Sequence, residues 1–117
     1  MRHVSKIKPF HRKREQRIAL FRSLSHALIM KGKIETTTAK AKYLRPIIEK
    51  LITRAKKQNL ASLRILIEKL PRASAMKLYN EIAPKYKTRA GGYTRITKLP
   101  IHRRGDDANL SVIEFVS

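Results

Sequence analysis

The sequence holds no cysteine, no tryptophan and only eight acidic residues. Without cysteine there are no disulfides and no thiolate metal sites, which fits a reducing compartment. No apolar run approaches the ~18 residues of a membrane-spanning helix, and the apolar residues fall at core spacing, so no membrane partner is expected. Glycine is scarce, and neither a G-x-G-x-x-G nor a G-x-x-x-x-G-K-[ST] phosphate loop occurs. Among the acids Glu15, Glu35, Glu49, Glu68, Glu81, Asp106, Asp107 and Glu114, only Asp106 and Asp107 are neighbours. Following Arg103-Arg104-Gly105, they suit a turn and a local ion pair better than acid–base catalysis. His3, His11, His26 and His102 show no metal-ligand spacing, and no serine lies in a G-x-S-x-G elbow. The expectation is a chain that is not an enzyme and has no cofactor, metal or small-molecule substrate. The start, "MRHVSKIKPFHRKREQR", has charge but no apolar h-region, so it does not read as a secretory signal. The protein is expected to work in the cytoplasm, or in an organelle that translates its own messages.

Against those few acids stand 28 lysines and arginines, a net charge of +20. Self-repulsion of that size opposes compactness unless a polyanion neutralises it, and nucleic acid is the first candidate. The 117 residues, 42% of them apolar, still suffice for one domain that buries roughly two-thirds of its unfolded surface.

Arg2, Lys6, Lys8, Arg12, Lys13, Arg14 and Arg17 crowd the first stretch around Pro9, with Glu15 the one acid. This reads as an extended basic arm, taken as residues 1–14, ahead of a single globular domain at 15–117. Ile18, Phe21, Leu24 or Ser25 and Leu28 then mark one stripe of a helix that Gly32 ends, leaving Arg14, Arg17 and Arg22 off the stripe. A short strand around Ile34–Thr37 leads to a second helix, capped by Thr37 or Thr38, with Ala41, Leu44, Ile48, Leu51 and Ala55 inward. Pro46 either kinks that helix or begins it. Asn59 can cap a third helix with Leu60, Leu63, Ile67 and Leu70 inward, and Ser74 a fourth with Ala75, Leu78, Tyr79 and Ile82, ending near Pro84. Gly91-Gly92 turn into a strand at about 93–99, "PIHRRGDDAN" is a loop, and "LSVIEFV" (110–116) is a last strand closing a long-looped hairpin. The order α-β-α-α-α-β-β predicts a two-layer α+β domain, helices covering one face of a small sheet.

A charge run is usually a solvated face balanced by i,i+4 acids, and here few acids exist to balance it. The excess gathers in the arm, on the first helix at Arg22, and in "AKAK" (39–42), "PKYKTRAGGYTR" and "HRR", while His3 and His11 in the arm are expected to contact phosphate or stack on bases. No helix-turn-helix, zinc finger, heptad zipper or RNP-type aromatic strand occurs. A folded RNA read by shape, phosphate and stacking fits better, with an accessible Tyr93 as the stacking ring and Gly91 and Gly92 allowing close backbone approach.

"MRH", "IETTTAKAK" (34–42), "LYNEIAPKY" (78–86), "RAGGYTRITKL" (89–99) and "RRGDDA" (103–108), in this order and spacing, resemble the bacterial-type large-subunit ribosomal protein seventeen family across essentially the whole chain. The resemblance implies a structural component of the large ribosomal subunit that binds large-subunit ribosomal RNA near the outer end of the nascent-peptide tunnel, beside neighbouring ribosomal proteins. It also implies helices on a small mixed sheet behind an N-terminal extension. The RNA-facing positions it implies are Arg2 and His3, Lys40 and Lys42, Arg89, Gly91, Gly92, Tyr93 and Arg95, and Arg103 and Arg104. The arm departs from the usual family pattern: Gln16-Arg17 stands where His-Arg is expected. The competing readings are a non-ribosomal RNA- or DNA-binding architectural protein, which should carry apolar wedges on exposed ribbons, and a small basic enzyme, which needs a convergent polar pocket.

Overall fold

The computed structural model describes residues 13–117. Helix α1 (Arg14–Lys31) opens with the Lys13 N–H donating to the Gln16 side-chain oxygen at 3.3 Å and buries Phe21, Ser25, Leu28 and Ile29. Ile18, expected on the same stripe, is 52% exposed. It stands at the rim of a groove bordered by Phe21, Leu51 and Leu70, so the first turn of the stripe is not covered by any described residue. Gly32 ends the helix at φ 85°, its N–H donating to the Leu28 carbonyl at 2.7 Å. Residues with a β-carbon rarely adopt that left-handed conformation.

Strand β1 (Lys33–Thr37) runs straight into helix α2 (Thr38–Ala55), and Thr37 supplies the cap, its hydroxyl accepting from the Lys40 N–H at 3.4 Å. All five expected core positions of α2 are buried, together with Ile52. Pro46 lies inside this helix and does not begin it. Its missing N–H deprives the Lys42 carbonyl of a partner, which an exposed position tolerates because water can take the bond.

Helix α3 (Leu60–Lys69) is capped by Asn59, whose side chain accepts from the Ser62 N–H at 2.8 Å. Its inward face differs from the expected one: Leu66 and Leu70 are buried, Leu63 and Ile67 half-buried, and Leu60 60% exposed. The apolar residues of this short helix lie all round it, and packing against α2 and α4 selects Leu66.

Helix α4 (Arg72–Lys77) has Pro71, not Ser74, at its N-cap. A proline's fixed φ and absent N–H suit a helix entry, whereas Ser74 is buried one turn in and donates its hydroxyl to the Pro71 carbonyl at 2.9 Å. The pitch then widens into a π turn (Leu78–Ile82), with the Ala83 N–H donating to the Leu78 carbonyl, and tightens into a 3-10 turn (Ala83–Tyr86). Pro84, lacking a donor and crowding the carbonyl four residues back, explains why α geometry is lost there.

Strands β2 (Thr94–His102) and β3 (Asn109–Phe115) complete a sheet ordered β1-β3-β2. Both pairings are antiparallel, so the sheet is not mixed. A hairpin connection fixes β2 against β3, and β1 meets the other edge of β3 in the opposite sense. Pro100 falls in the register shift between Lys98 and His102, on an outer strand where a missing donor is tolerated. Ile34, Ile113 and Ile96 form one cross-strand row facing the helices. Lys33, Glu114 and Arg95 form the neighbouring row on the opposite face. The result is the expected two-layer α+β domain, with its core between α2 and the sheet and between α2 and the other helices.

Candidate nucleic-acid interface

Arg2, His3, Lys6, Lys8, His11 and Arg12 lie outside the described residues. Lys13 and Arg14 stand exposed where α1 begins, and Arg17 is half-buried one turn on. Arg22 is exposed and donates from Nη1 to the Glu68 carbonyl at 3.4 Å. Lys40 is half-buried and Lys42 exposed, both in the first turns of α2. His26 lies along α1, and its Nδ1 is buried without a hydrogen-bond partner among the described residues.

The stretch 87–95 is held from behind. Tyr93 is 1% exposed, so its ring cannot stack on a base, contrary to the sequence expectation. It is covered because the Gly92 turn, at φ 65°, directs the chain inward against Tyr86, with ring centroids 5.2 Å apart. The Lys56 ammonium donates to the Arg89 carbonyl and, at 2.8 Å, to the Tyr93 hydroxyl, and it sits 5.0 Å from the Tyr93 ring centre. That hydrogen bond holds the Tyr93 phenol below its ordinary pKa against the opposing effect of burial. Burial raises the Tyr86 phenol, whose hydroxyl donates to the Val116 carbonyl. Next door, the Thr94 hydroxyl donates to Glu49 Oε2 at 2.8 Å, the same carboxylate that Arg45 approaches at 3.4 Å. Outside this anchor Arg89, Gly91 and Gly92 are exposed, with the Arg89 Nε donating to the Gly91 carbonyl at 3.1 Å. A β-carbon at Gly91 would meet nothing within 4 Å, so packing within the fold does not demand glycine there.

The hairpin tip is organised locally. The Arg103 guanidinium clamps the Asp106 carboxylate, which also accepts from the Ala108 N–H at 3.2 Å. Asp106 is held at about 2, chiefly by the Arg103 hydrogen bond, while His102 lies 3.6 Å from Asp107. The expected turn and local ion pair are therefore both present, and Arg103 is partly neutralised. Arg104 is exposed, without an ion pair or hydrogen bond among the described residues. Arg95 lies 3.7 Å from Glu114 across the open face of the sheet.

Of the described lysines and arginines, only Arg45, Arg95 and Arg103 lie in an ion pair. Every other described lysine and arginine lacks an acidic partner among the described residues, and five of them escaped the sequence reading. Lys50, Arg54, Lys57 and Lys69 surround a hollow of about 250 Å3. Lys56 gave no local signal because the groups it binds lie 33 and 37 positions away. No three His, Asp or Glu side chains among the described residues gather as metal ligands, and no described helix is long and apolar enough to cross a membrane.

Fold and charge together define a class: small basic α+β domains whose helices back a three-stranded antiparallel sheet and whose cations stand largely unneutralised on a fixed frame. Within that class the chain belongs to the Ribosomal protein L17 family, whose profile matches residues 20–116. It is 58% identical to the "Large ribosomal subunit protein bL17" of Persephonella marina over 99% of this chain and 95% of that protein. The protein of the same name from Sulfurihydrogenibium is 53% identical, over 99% of this chain and 97% of the relative. The one from Thermus thermophilus is 41% identical, over 99% of each.

Proposed function

We propose that the protein is a structural constituent of the large ribosomal subunit that binds and stabilises folded large-subunit ribosomal RNA, working in the cytoplasm. The observation that carries this reading is the scarcity of acidic partners for the cations among the described residues, on a frame whose family is ribosomal. Unpaired lysines and arginines on rigid elements displace counterions from phosphates, and their fixed spacing selects an RNA shape. Arg14, Arg17, Lys40, Lys42, Arg89 and Arg104 contribute this positive surface, the Gly91-Gly92 backbone permits close approach, Arg2, Lys6, Lys8 and Arg12 add further positive charge, and His3 and His11 add groups that contact phosphate or stack on bases. Arg95 and Arg103 contribute less, since Glu114 and Asp106 already engage them. The family resemblance supports a position beside the outer end of the nascent-peptide tunnel, among neighbouring ribosomal proteins, as part of the same proposal.

With about ten phosphate contacts, log affinity for large-subunit ribosomal RNA should fall with log salt at a slope of about −7 to −9. Filter binding over a salt series measures it, and a slope near zero would sink the reading. In cell lysates the chain should sediment with the large subunit in equimolar amount after salt washes that strip loosely held factors; migration with DNA would favour the architectural alternative.

A further inference from the structure

A cleft of about 810 Å3 opens where the end of α1, the 3-10 turn and the end of β3 meet. Lys31, Lys77, Lys85 and Arg89 line it, no acidic side chain does, and Ile82 and Phe115 supply apolar surface. Two of the four cations already have internal bonds: Lys77 donates to the Met30 carbonyl at 3.0 Å, and Arg89 uses its Nε on Gly91, keeping its terminal guanidinium nitrogens. Lys31 and Lys85 are exposed and make neither an ion pair nor a hydrogen bond among the described residues. The two aromatic rings of the cleft differ. Tyr86 is buried, with its hydroxyl on Val116 and its ring against Tyr93, whereas Phe115 is only half-buried and has no such commitments.

A ligand matching this cleft must carry more than one negative charge and also a flat apolar body. A regular RNA duplex offers phosphates but keeps its base faces stacked away, while an unpaired nucleotide offers both together. We propose that the cleft holds an unpaired segment of RNA, with its phosphodiesters on Lys31, Lys85 and Arg89 and one base against Phe115. This rests on the RNA-binding reading above and adds a subsite for single-stranded RNA to it. It also moves the stacking role from Tyr93, which the core has taken, to Phe115.

The test is fluorescence anisotropy of the full chain with an unstructured oligouridylate of about ten nucleotides, run beside binding of intact large-subunit ribosomal RNA. The Lys31→Gln/Lys85→Gln double variant should lower the salt slope for the oligonucleotide by about 1.4, and Phe115→Leu should weaken its binding about tenfold. Because Phe115→Leu also touches the core, a 5-bromouridine oligonucleotide is photocrosslinked to the unaltered chain, and the adduct should map to Phe115 or its neighbours. If ribosomal RNA binds but the oligonucleotide does not, or if the double variant and the crosslink both miss this cleft, the subsite is wrong and the general reading stands. If polyglutamate of equal charge displaces the oligonucleotide and Phe115→Leu has no effect, the cleft docks acidic protein instead. If the chain binds neither RNA, both proposals fall together.

Discussion

The loop around Arg89–Tyr93 and the hairpin tip at Arg103–Ala108 look alike in sequence, each setting arginine close to glycine, yet the fold secures them by opposite means. The first is tied to the core over long sequence distance, by Lys56 from the end of α2 and by the packing of Tyr93 on Tyr86. The second closes on itself through Arg103 and Asp106, three positions apart and in water. Anchoring to the core leaves the Arg89 side chain facing outward from a rigid base. A locally closed tip holds its own shape but transmits little to the rest of the domain. A shared arginine–glycine pattern thus conceals unequal mechanical support.

The strongest way to break the comparison is to remove the anchor. Tyr93→Ala should cost about 3–5 kcal/mol in urea unfolding, since it empties a buried aromatic site beside Tyr86. Arg104→Ala at the tip should change stability by less than about 0.5 kcal/mol, and a loss at the tip matching that at Tyr93 would erase the distinction. Lys56→Met isolates the polar part of the anchor. It strips a donor from the Arg89 carbonyl and the Tyr93 hydroxyl and should destabilise by about 1–2 kcal/mol, with amide exchange quickening at residues 89–93 and unchanged at 103–108. Without the Lys56 ammonium, the Tyr93 phenol should titrate at higher pH than in the unaltered chain.

The mildest test is the Asp106 titration. Its carboxyl is depressed from 3.8 to about 2, so its contribution is present above the ordinary carboxylate range and disappears as pH falls through about 2. Carbonyl NMR shifts of Asp106 should show that midpoint, and Arg103→Gln should return it toward 3.8. Acidification should loosen the tip while leaving the Tyr93 anchor in place, because neither the Lys56–Arg89 nor the Lys56–Tyr93 hydrogen bond uses a carboxylate.

The sequence made the frame legible where periodicity and caps agree. The α2 stripe, a threonine cap at Thr37 or Thr38, of which the structure uses Thr37, Asn59 as a cap and Gly32 as a stop are each decided within a few residues of backbone. Ile18 and Leu60 misled because an apolar residue at helical spacing is buried only if another element covers it, and coverage is a tertiary fact. Tyr93 misled for the same reason in reverse: a ring between basic residues looks like a ligand contact until Tyr86 and Lys56 arrive from elsewhere in the chain. The arginine–aspartate turn was legible because its partners are neighbours. The cleft was not, since Lys31, Lys85 and Phe115 share no local pattern.

The sheet places its last-made strand in the middle. Until β3 has left the ribosome that synthesises it, β1 and β2 have no edge to pair with, and the Thr38–Ser111 hydroxyl contact must close a separation of 73 positions. Helices α1 to α4 can form as the chain emerges, but the long loop closure comes late and slows the final step, as high contact order does generally. During that interval the inner faces of β1 and α2 lack the cover that β3 supplies, so a newly made chain depends on rapid completion to avoid joining its neighbours instead.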